Sequence, residues 1–223
     1  TVEIKSDLKV EYNPFYACPD LISFVGNNTT EDSRCWIVDG VLMAFARKDI
    51  TEYIVPDCVK EIGHYAFRRS RLQKVTLPET LRSIGLWAFT NCFSLKCVTL
   101  PASVETIGDA CFSCCYALEE IHLSDDMTVI PEMMFSGCDS LKEITLPDKI
   151  VRIESMAFSG TALETIQLPD SLQYIGMSAF DATRITEVYI PENVKKIDGG
   201  AFTGRFIVRI EVSDRNPSYT DVD

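Results

Sequence analysis

A phenylalanine recurs every 22 or 23 residues through most of the chain, and this period constrains the fold more than any other feature. Two apolar slots keep the same period: a leucine or isoleucine five or six residues after each phenylalanine, and a pair of apolar residues three apart before it. A fixed period of roughly 20 to 50 residues indicates a solenoid, because one copy cannot bury its own apolar residues and stacked copies share a core. The phenylalanines expected in that core are Phe67, Phe89, Phe112, Phe135, Phe158, Phe180 and Phe202.

Each copy is expected to contain a short strand and a corner. In one copy, the alternation of Cys97-Val98-Thr99-Leu100 predicts a half-buried strand with Val98 inward and Cys97 and Thr99 outward. The proline that follows, Pro101, has no N–H to donate and so ends the strand. Gly108 is expected to adopt a backbone angle that a Cβ atom would oppose. The small residue and phenylalanine that come next predict a short helical or irregular corner.

The corners come in two lengths. The three longer copies carry a cysteine at one slot, Cys92, Cys115 and Cys138, where the shorter copies have serine, threonine or arginine. Neighbouring coils lie about 4.8 Å apart, which is further than the roughly 3.8 Å that the Cβ atoms of a disulfide prefer. We therefore expect these cysteines to be buried thiols that pack as small apolar side chains.

Three regions of the chain are distinguished. Residues 1–49 are interpreted as an N-terminal cap, a degenerate first repeat and a β-hairpin, residues 50–212 as seven regular repeats, and residues 213–223 as a tail or the start of a further hairpin repeat. The hairpin is predicted from two apolar runs joined by Asp39-Gly40, which favours a type I′ turn. The cap is predicted from apolar residues that alternate at the start of the chain: Val2, Ile4, Leu8 and Val10.

The net charge of −12 and the sequence pI of about 4.6 argue against nucleic acid or an anionic membrane surface as the partner. They are typical of a soluble monomer. The apolar runs are a few residues long, far short of the ~20 that a membrane-spanning helix needs.

Neither catalysis nor a cofactor is expected. No glycine-rich phosphate loop and no protease or hydrolase motif occurs. Cys97 and His122 lie one strand apart and could form a nucleophile pair, yet an open sheet lacks the enclosed pocket and oxyanion donors that such chemistry needs. The spacing of Cys111, Cys114 and Cys115 follows from the repeat, and no histidine pair or second Cys-x-x-Cys completes a metal site.

A binding surface is predicted where the strands face outward, because these side chains have no packing duty and vary from copy to copy. Tyr189 is the strongest candidate for an aromatic anchor. The alternative is an ordinary solvated sheet. The candidate residues are Lys74, Thr99, Glu120, His122, Glu143, Gln167, Glu187 and Tyr189.

A second candidate patch comprises Tyr65, Leu86 and Trp87, which fall on neighbouring coils just before the phenylalanine corner. Exposed aromatic and apolar side chains in one place are typical of an interaction site. The favoured alternative is that the patch packs under the N-terminal cap.

The unit L-x-x-I-x-L-P-x-x-V-x-x-I-G-x-x-A-F-x-x-C resembles that of the BspA-like branch of the leucine-rich repeat family over roughly residues 50 to 212. The resemblance implies a right-handed solenoid, and together with the repeat pattern it predicts α/β to mostly β structure: a parallel sheet face, short helical or irregular corners and one N-terminal β-hairpin insertion. Departures from the unit are local, as at Ser124, Pro131, Glu154 and Asp198.

The resemblance also implies a non-enzymatic protein of the cell surface or the extracellular space in host-associated microbes. Its expected function is adhesion or recognition of a protein or glycan ligand, including ligands of the host matrix. Two alternatives stay open: an intracellular or periplasmic scaffold, and an accessory binding module of a larger protein.

Overall fold

The computed structural model describes residues 1–5, 10, 12–18, 20–46 and 50–219. Over these residues the chain is a β-solenoid of stacked coils whose neighbouring strands run parallel, apart from one antiparallel hairpin. The described strands are β1 (Val2–Ile4), β2 (Phe24–Gly26), β3 (Cys35–Val38), β4 (Val41–Phe45), β5 (Glu52–Ile54), β6 (Glu61–Ile62), β7 (Lys74–Thr76), β8 (Ser83–Ile84), β9 (Cys97–Thr99), β10 (Thr106–Ile107), β11 (Glu120–His122), β12 (Val129–Ile130), β13 (Arg152–Ile153), β14 (Tyr174–Ile175), β15 (Glu187–Ile190), β16 (Lys196–Ile197) and β17 (Arg209–Val212).

Two sheets run along the solenoid, one from each half of the repeat. The first contains β5, β7, β9 and β11 in one group and β15 with β17 in another. The second contains β4, β6, β8 and β10, and then β12, β13, β14 and β16. Apolar side chains from both sheets, such as Val98 of β9 and Ile84 of β8, are buried between them. The predicted parallel sheet face therefore exists.

The predicted hairpin is formed by β3 and β4, with Asp39 (φ 50°) and Gly40 (φ 81°) as its two turn residues. Both lie in the left-handed region, as a type I′ turn requires. β4 also pairs in parallel with β6, so the second strand of the hairpin forms part of the second sheet. Trp36 of β3 is fully buried in a separate N-terminal cluster with Phe24.

The corners are turns. Of the alternatives expected, irregular corners and mostly β structure are found, whereas helical corners and α/β character are wrong, since no helix occurs in the part of the chain that the structure describes. The corner at Phe67 shows why. The N–H of Arg68 donates to the carbonyl of Tyr65, three residues back, at 3.1 Å, whereas the N–H of Phe67 donates across to Ala88 of the next coil at 2.8 Å. Because successive N–H groups alternate between the two partners, consecutive bonds to residue i−4 cannot form and a helix cannot propagate.

The role predicted for the repeat glycines is also wrong. Gly85, Gly108 and Gly176 do not adopt positive φ angles. A Cβ atom on Gly108 would lie 2.5 Å from the backbone N of Leu86 on the preceding coil, and one on Gly176 would lie 2.5 Å from the N of Ser155. These glycines therefore allow neighbouring coils to approach closely, rather than permitting an unusual backbone angle. Within the regular repeats, the left-handed positions lie in the corners, at residues such as Tyr65 and Trp87.

The phenylalanines form one continuous stack along the solenoid. Successive ring centroids lie 4.9–6.1 Å apart, and the planes of neighbouring rings differ by 1–20°. The first six rings are at most 1% exposed, and Phe202 at the end of the stack is partly buried.

The cysteines of the longer corners connect neighbouring coils. The thiol of Cys115 donates to the carbonyl of Phe89 at 3.2 Å, and that of Cys138 donates to the carbonyl of Phe112 at 3.3 Å. In a shorter corner, the Thr161 hydroxyl donates instead to the carbonyl of Phe158 in its own copy. Burial raises the pKa of the Cys115 and Cys138 thiols far above that of an exposed cysteine, which keeps them protonated and unreactive.

The segments at both ends make contacts with neighbouring parts of the chain. At the start, β1 pairs in parallel with β2, while Leu8 of the predicted alternation lies outside the described residues. Near the end, the buried Asn216 side chain donates to the carbonyls of Pro191 and Val194 at 2.8 and 3.1 Å. The predicted second hairpin would extend into residues 220–223, which also lie outside the described part.

Candidate binding surface

The outward side chains of the first sheet form two columns that cross the coils. In the first column, Lys74, Cys97 and Glu120 are direct partners on neighbouring strands, and in the second Thr99 is the partner of His122. The residues between them point inward, and Val75, Val98 and Ile121 are at most 7% exposed. All eight candidate residues of the sheet face are exposed, and the structure brings them to one face: Lys74, Thr99, Glu120, His122, Glu143, Gln167, Glu187 and Tyr189.

Some of these residues contact one another. The Nε2 atom of His122 lies 2.9 Å from a carboxylate oxygen of Glu120. Tyr189 is 51% exposed and lies opposite Glu211, which is paired with Arg209. An exposed aromatic ring among charged side chains is typical of an interface anchor.

The pairing of the first sheet is interrupted between β11 and β15. Residues 141–147 and 161–169, all described, form no strand. No hydrogen bond within the described protein uses the backbone N–H or C=O groups of Glu143, Ile144 and Thr145, or those of Thr165, Ile166 and Gln167. The interruption surrounds the junction between the last 23-residue copy, at Phe135, and the 22-residue copy that follows it, at Phe158.

A broad groove of about 1350 Å³ lies at this interruption. It is lined by β11, by 143–148 and by 165–170, and six of its lining residues are carboxylates: Glu119, Glu120, Asp125, Glu143, Asp148 and Asp170. Four predicted face residues also line it: Glu120, His122, Glu143 and Gln167. We call this region the acidic groove.

Sequence reasoning missed the acidic groove, although part of its signal was present. Asp148 and Asp170 each follow the proline that ends a predicted strand, and Asp125 follows Ser124 in the same slot. The sheet face predicted from the sequence comprises only residues of predicted strands, so it does not include these turn carboxylates. The repeat shortens by one residue at the interruption, but its strand positions keep the usual apolar pattern on both sides and do not indicate that pairing stops.

The Cys97 and His122 side chains do not form a nucleophile pair. Cys97 lies opposite Lys74 and Glu120, and the ring of His122 contacts Glu120. Within the described ranges, no group of three or more His, Cys, Asp or Glu side chains is placed to hold a metal ion. Nor do these ranges contain a helix of the length and apolar character required to cross a membrane.

The second candidate patch is partly covered by the N-terminal segment. The Tyr16 and Tyr65 ring centroids are 5.1 Å apart, and the Arg68 guanidinium lies over both rings, at 5.2 and 5.6 Å from their centroids. Burial raises the pKa of Tyr65, an effect that the charge of Arg68 opposes. Trp87 packs against Tyr65 at 5.1 Å, yet it is 42% exposed, as is Leu86 at 39%. The favoured interpretation of packing under the cap thus fits the surroundings of Tyr65 better than those of the other two.

A family model described as a BspA type leucine rich repeat region, with six copies, matches residues 42–144 and 107–220. No curated protein sequence gives a significant match to the chain.

Solved structures of bacterial proteins share the fold. A leucine-rich repeat protein from Eubacterium ventriosum superposes with a TM-score of 0.77 at 19% identity, covering 96% of this chain and 62% of that one. A leucine-rich repeat protein from Bacteroides ovatus superposes with a TM-score of 0.60 at 24% identity, covering 96% of this chain and 58% of that one. A leucine rich cell surface protein from Faecalibacterium prausnitzii gives 0.53 at 24% identity, with coverage of 100% and 52%. The chain thus spans less than two thirds of the length of each.

Proposed function

The chain belongs to the BspA-type leucine-rich repeat family, and on that premise we propose that it is a non-enzymatic recognition protein of the bacterial cell surface or extracellular space. It binds a protein or glycan ligand, including ligands of a host matrix, through the outward face of its first sheet. The description of one structural neighbour as a cell surface protein supports the location.

The observation that carries this proposal is the alternation of buried and exposed side chains along the strands of the first sheet. In β5, β7, β9, β11 and β15 the central or alternate apolar residue is buried in the core, whereas the residues beside it are exposed or, at Cys97, half-buried. A rigid frame that presents variable side chains on an extended surface is how solenoid proteins recognise partners. Substitution of exposed polar and aromatic residues such as Glu143 and Tyr189 can therefore alter which ligand is bound without altering the fold.

Replacing Glu143 and Tyr189 together by alanine is expected to weaken ligand binding about 10-fold or more, because truncating a central aromatic or charged contact removes a large share of the binding energy. The melting temperature is expected to change by less than about 2 °C, because both side chains are exposed. Binding is measured on a panel of purified extracellular matrix proteins and glycans, and then as a dissociation constant for each ligand found.

The matched control replaces Glu105 and Tyr116, which are also exposed but lie away from the first sheet. This control is expected to bind like the unmodified protein. If the Glu143 and Tyr189 variant retains full affinity for every ligand on the panel, the exposed sheet is not the binding surface.

A further inference from the structure

We infer that the acidic groove recognises a basic, extended peptide segment of a partner protein. This inference rests on the proposed function, because the groove is part of the same sheet face and the inference names the class of ligand that it takes.

The charge of the groove has one sign. Six of its eighteen lining residues are carboxylates, and none is lysine or arginine. Lys149 follows the lining residue Asp148 in sequence, but its ammonium group pairs with Asp126, which does not line the groove. Carboxylates held along one concave surface reinforce each other's field and attract cationic ligands. An anionic ligand would be repelled, and an uncharged glycan would leave the carboxylates without a counter-charge.

The size and spread of the groove favour a polymer over a small cation. Its volume of about 1350 Å³ exceeds the ~300–1000 Å³ of ordinary small-molecule pockets. The carboxylates lie on three successive coils, at Glu120, Glu143 and Asp170, and are not gathered as metal ligands within the described residues. A chain that carries several separated positive charges matches this distribution.

The unpaired backbone of the groove favours a peptide among such polymers. Residues 143–145 and 165–167, which include Ile144 and Ile166, have backbone N–H and C=O groups that make no hydrogen bond within the described protein. An extended peptide carries a regular series of donors and acceptors and can pair with such groups, as in other cases of strand recognition. In an extended chain every second side chain points the same way, so lysine or arginine at alternate positions would face the carboxylates together.

The test uses two fluorescent nonapeptides, one of alternating lysine and serine and the other of alternating glutamate and serine. The lysine peptide is expected to bind the unmodified protein, and its affinity is expected to fall at least about 10-fold between roughly 50 and 500 mM salt, because exposed charges are screened. The glutamate peptide is expected not to bind.

Two variants distinguish the contribution of the groove to peptide binding from that of the overall negative charge of the protein. In the groove variant, Glu120→Gln, Glu143→Gln and Asp148→Asn remove three lining carboxylates. In the control variant, Glu105→Gln, Glu132→Gln and Asp139→Asn remove three exposed carboxylates that do not line the groove. Both change the net charge by the same amount. Affinity for the lysine peptide at about 50 mM salt is expected to fall at least 10-fold in the groove variant and less than about 2-fold in the control.

An equal loss in both variants would mean that the peptide responds only to net charge, and the inference would be overturned. Failure of the lysine peptide to bind would also overturn it. So would the finding that an uncharged glycan binds the protein and loses affinity in the groove variant. In each of these cases the proposed function stands as long as the Glu143 and Tyr189 variant loses its ligand. Retention of all ligands by that double variant would instead contradict the proposed function itself.

Discussion

Replacing Phe112 by alanine is expected to lower the free energy of unfolding by about 3 to 5 kcal/mol, the usual cost of deleting a fully buried aromatic ring. Phe112 is 0% exposed and is stacked between Phe89 and Phe135, with ring centroids 5.3 and 6.1 Å away. Its loss would leave a cavity that two neighbouring coils share. The change is measured by urea denaturation of the unmodified protein and the variant, with unfolding monitored by circular dichroism.

The matched control is Phe93→Ala. Phe93 also stacks on an aromatic ring, that of Tyr116, at 5.1 Å, but it is 49% exposed. Its replacement is expected to cost less than about 1 kcal/mol, because a surface side chain leaves no cavity. A cost below about 1 kcal/mol for Phe112 as well would contradict the continuous phenylalanine stack.

Replacing Gly108 by alanine is expected to cost about 2 to 3 kcal/mol, at the upper end of what overpacking a core usually costs. The new Cβ atom would lie 2.5 Å from the Leu86 N and 2.7 Å from the Gly85 C, both backbone atoms of the preceding coil. Backbone atoms cannot rotate away as the end of a flexible side chain can, so the two coils must separate. The loss is measured as a shift of the denaturation midpoint.

Gly199 supplies the comparison, since a Cβ atom there would meet nothing within 4 Å. Gly199→Ala is expected to be neutral or slightly stabilising, because alanine has less conformational freedom than glycine in the unfolded chain. Equal effects at Gly108 and Gly199 would show that the close approach of neighbouring coils is not what requires glycine.

The period alone was sufficient to predict the solenoid and its parallel sheet face. Val98 and Phe112 are buried, and buried positions of a repeat require apolar residues. The recurrence of apolar residues at these positions therefore indicates burial directly. The hairpin was equally accessible, because Asp39-Gly40 meets a specific backbone requirement of the type I′ turn. These features are local, or they repeat often enough to be read without coordinates.

The conformation of the corners and the role of the repeat glycines depend on contacts between coils. The local sequence does not reveal these contacts, so the predictions of helical corners and of an unusual glycine backbone angle were wrong. The Phe67 N–H bonds to the next coil, a partner that the local sequence does not reveal. Glycine at position 108 is compatible with either an unusual backbone angle or a close approach, and only the position of Leu86 distinguishes the two. The acidic groove was missed for a similar reason, since it arises where strand pairing stops although the apolar strand positions of the repeat continue unchanged.

The stack and the proposed binding surface are physically linked. The rings and the close contacts between coils fix the positions of the outward side chains, so a ligand meets a surface that needs little reorganisation on binding. Preorganisation of this kind reduces the free-energy cost of association. It also predicts that variants of the sheet face change affinity while variants of the core change stability.

The proposed surface recognition is tested most directly by protease treatment of intact cells of the source organism, followed by detection of this protein in the supernatant and in a lysed control. Release of the protein or its fragments from intact cells is the predicted result, because a recognition protein must be accessible to its ligand from outside. Protection until the cells are lysed would contradict the proposed location and would direct the search for partners to the interior of the cell.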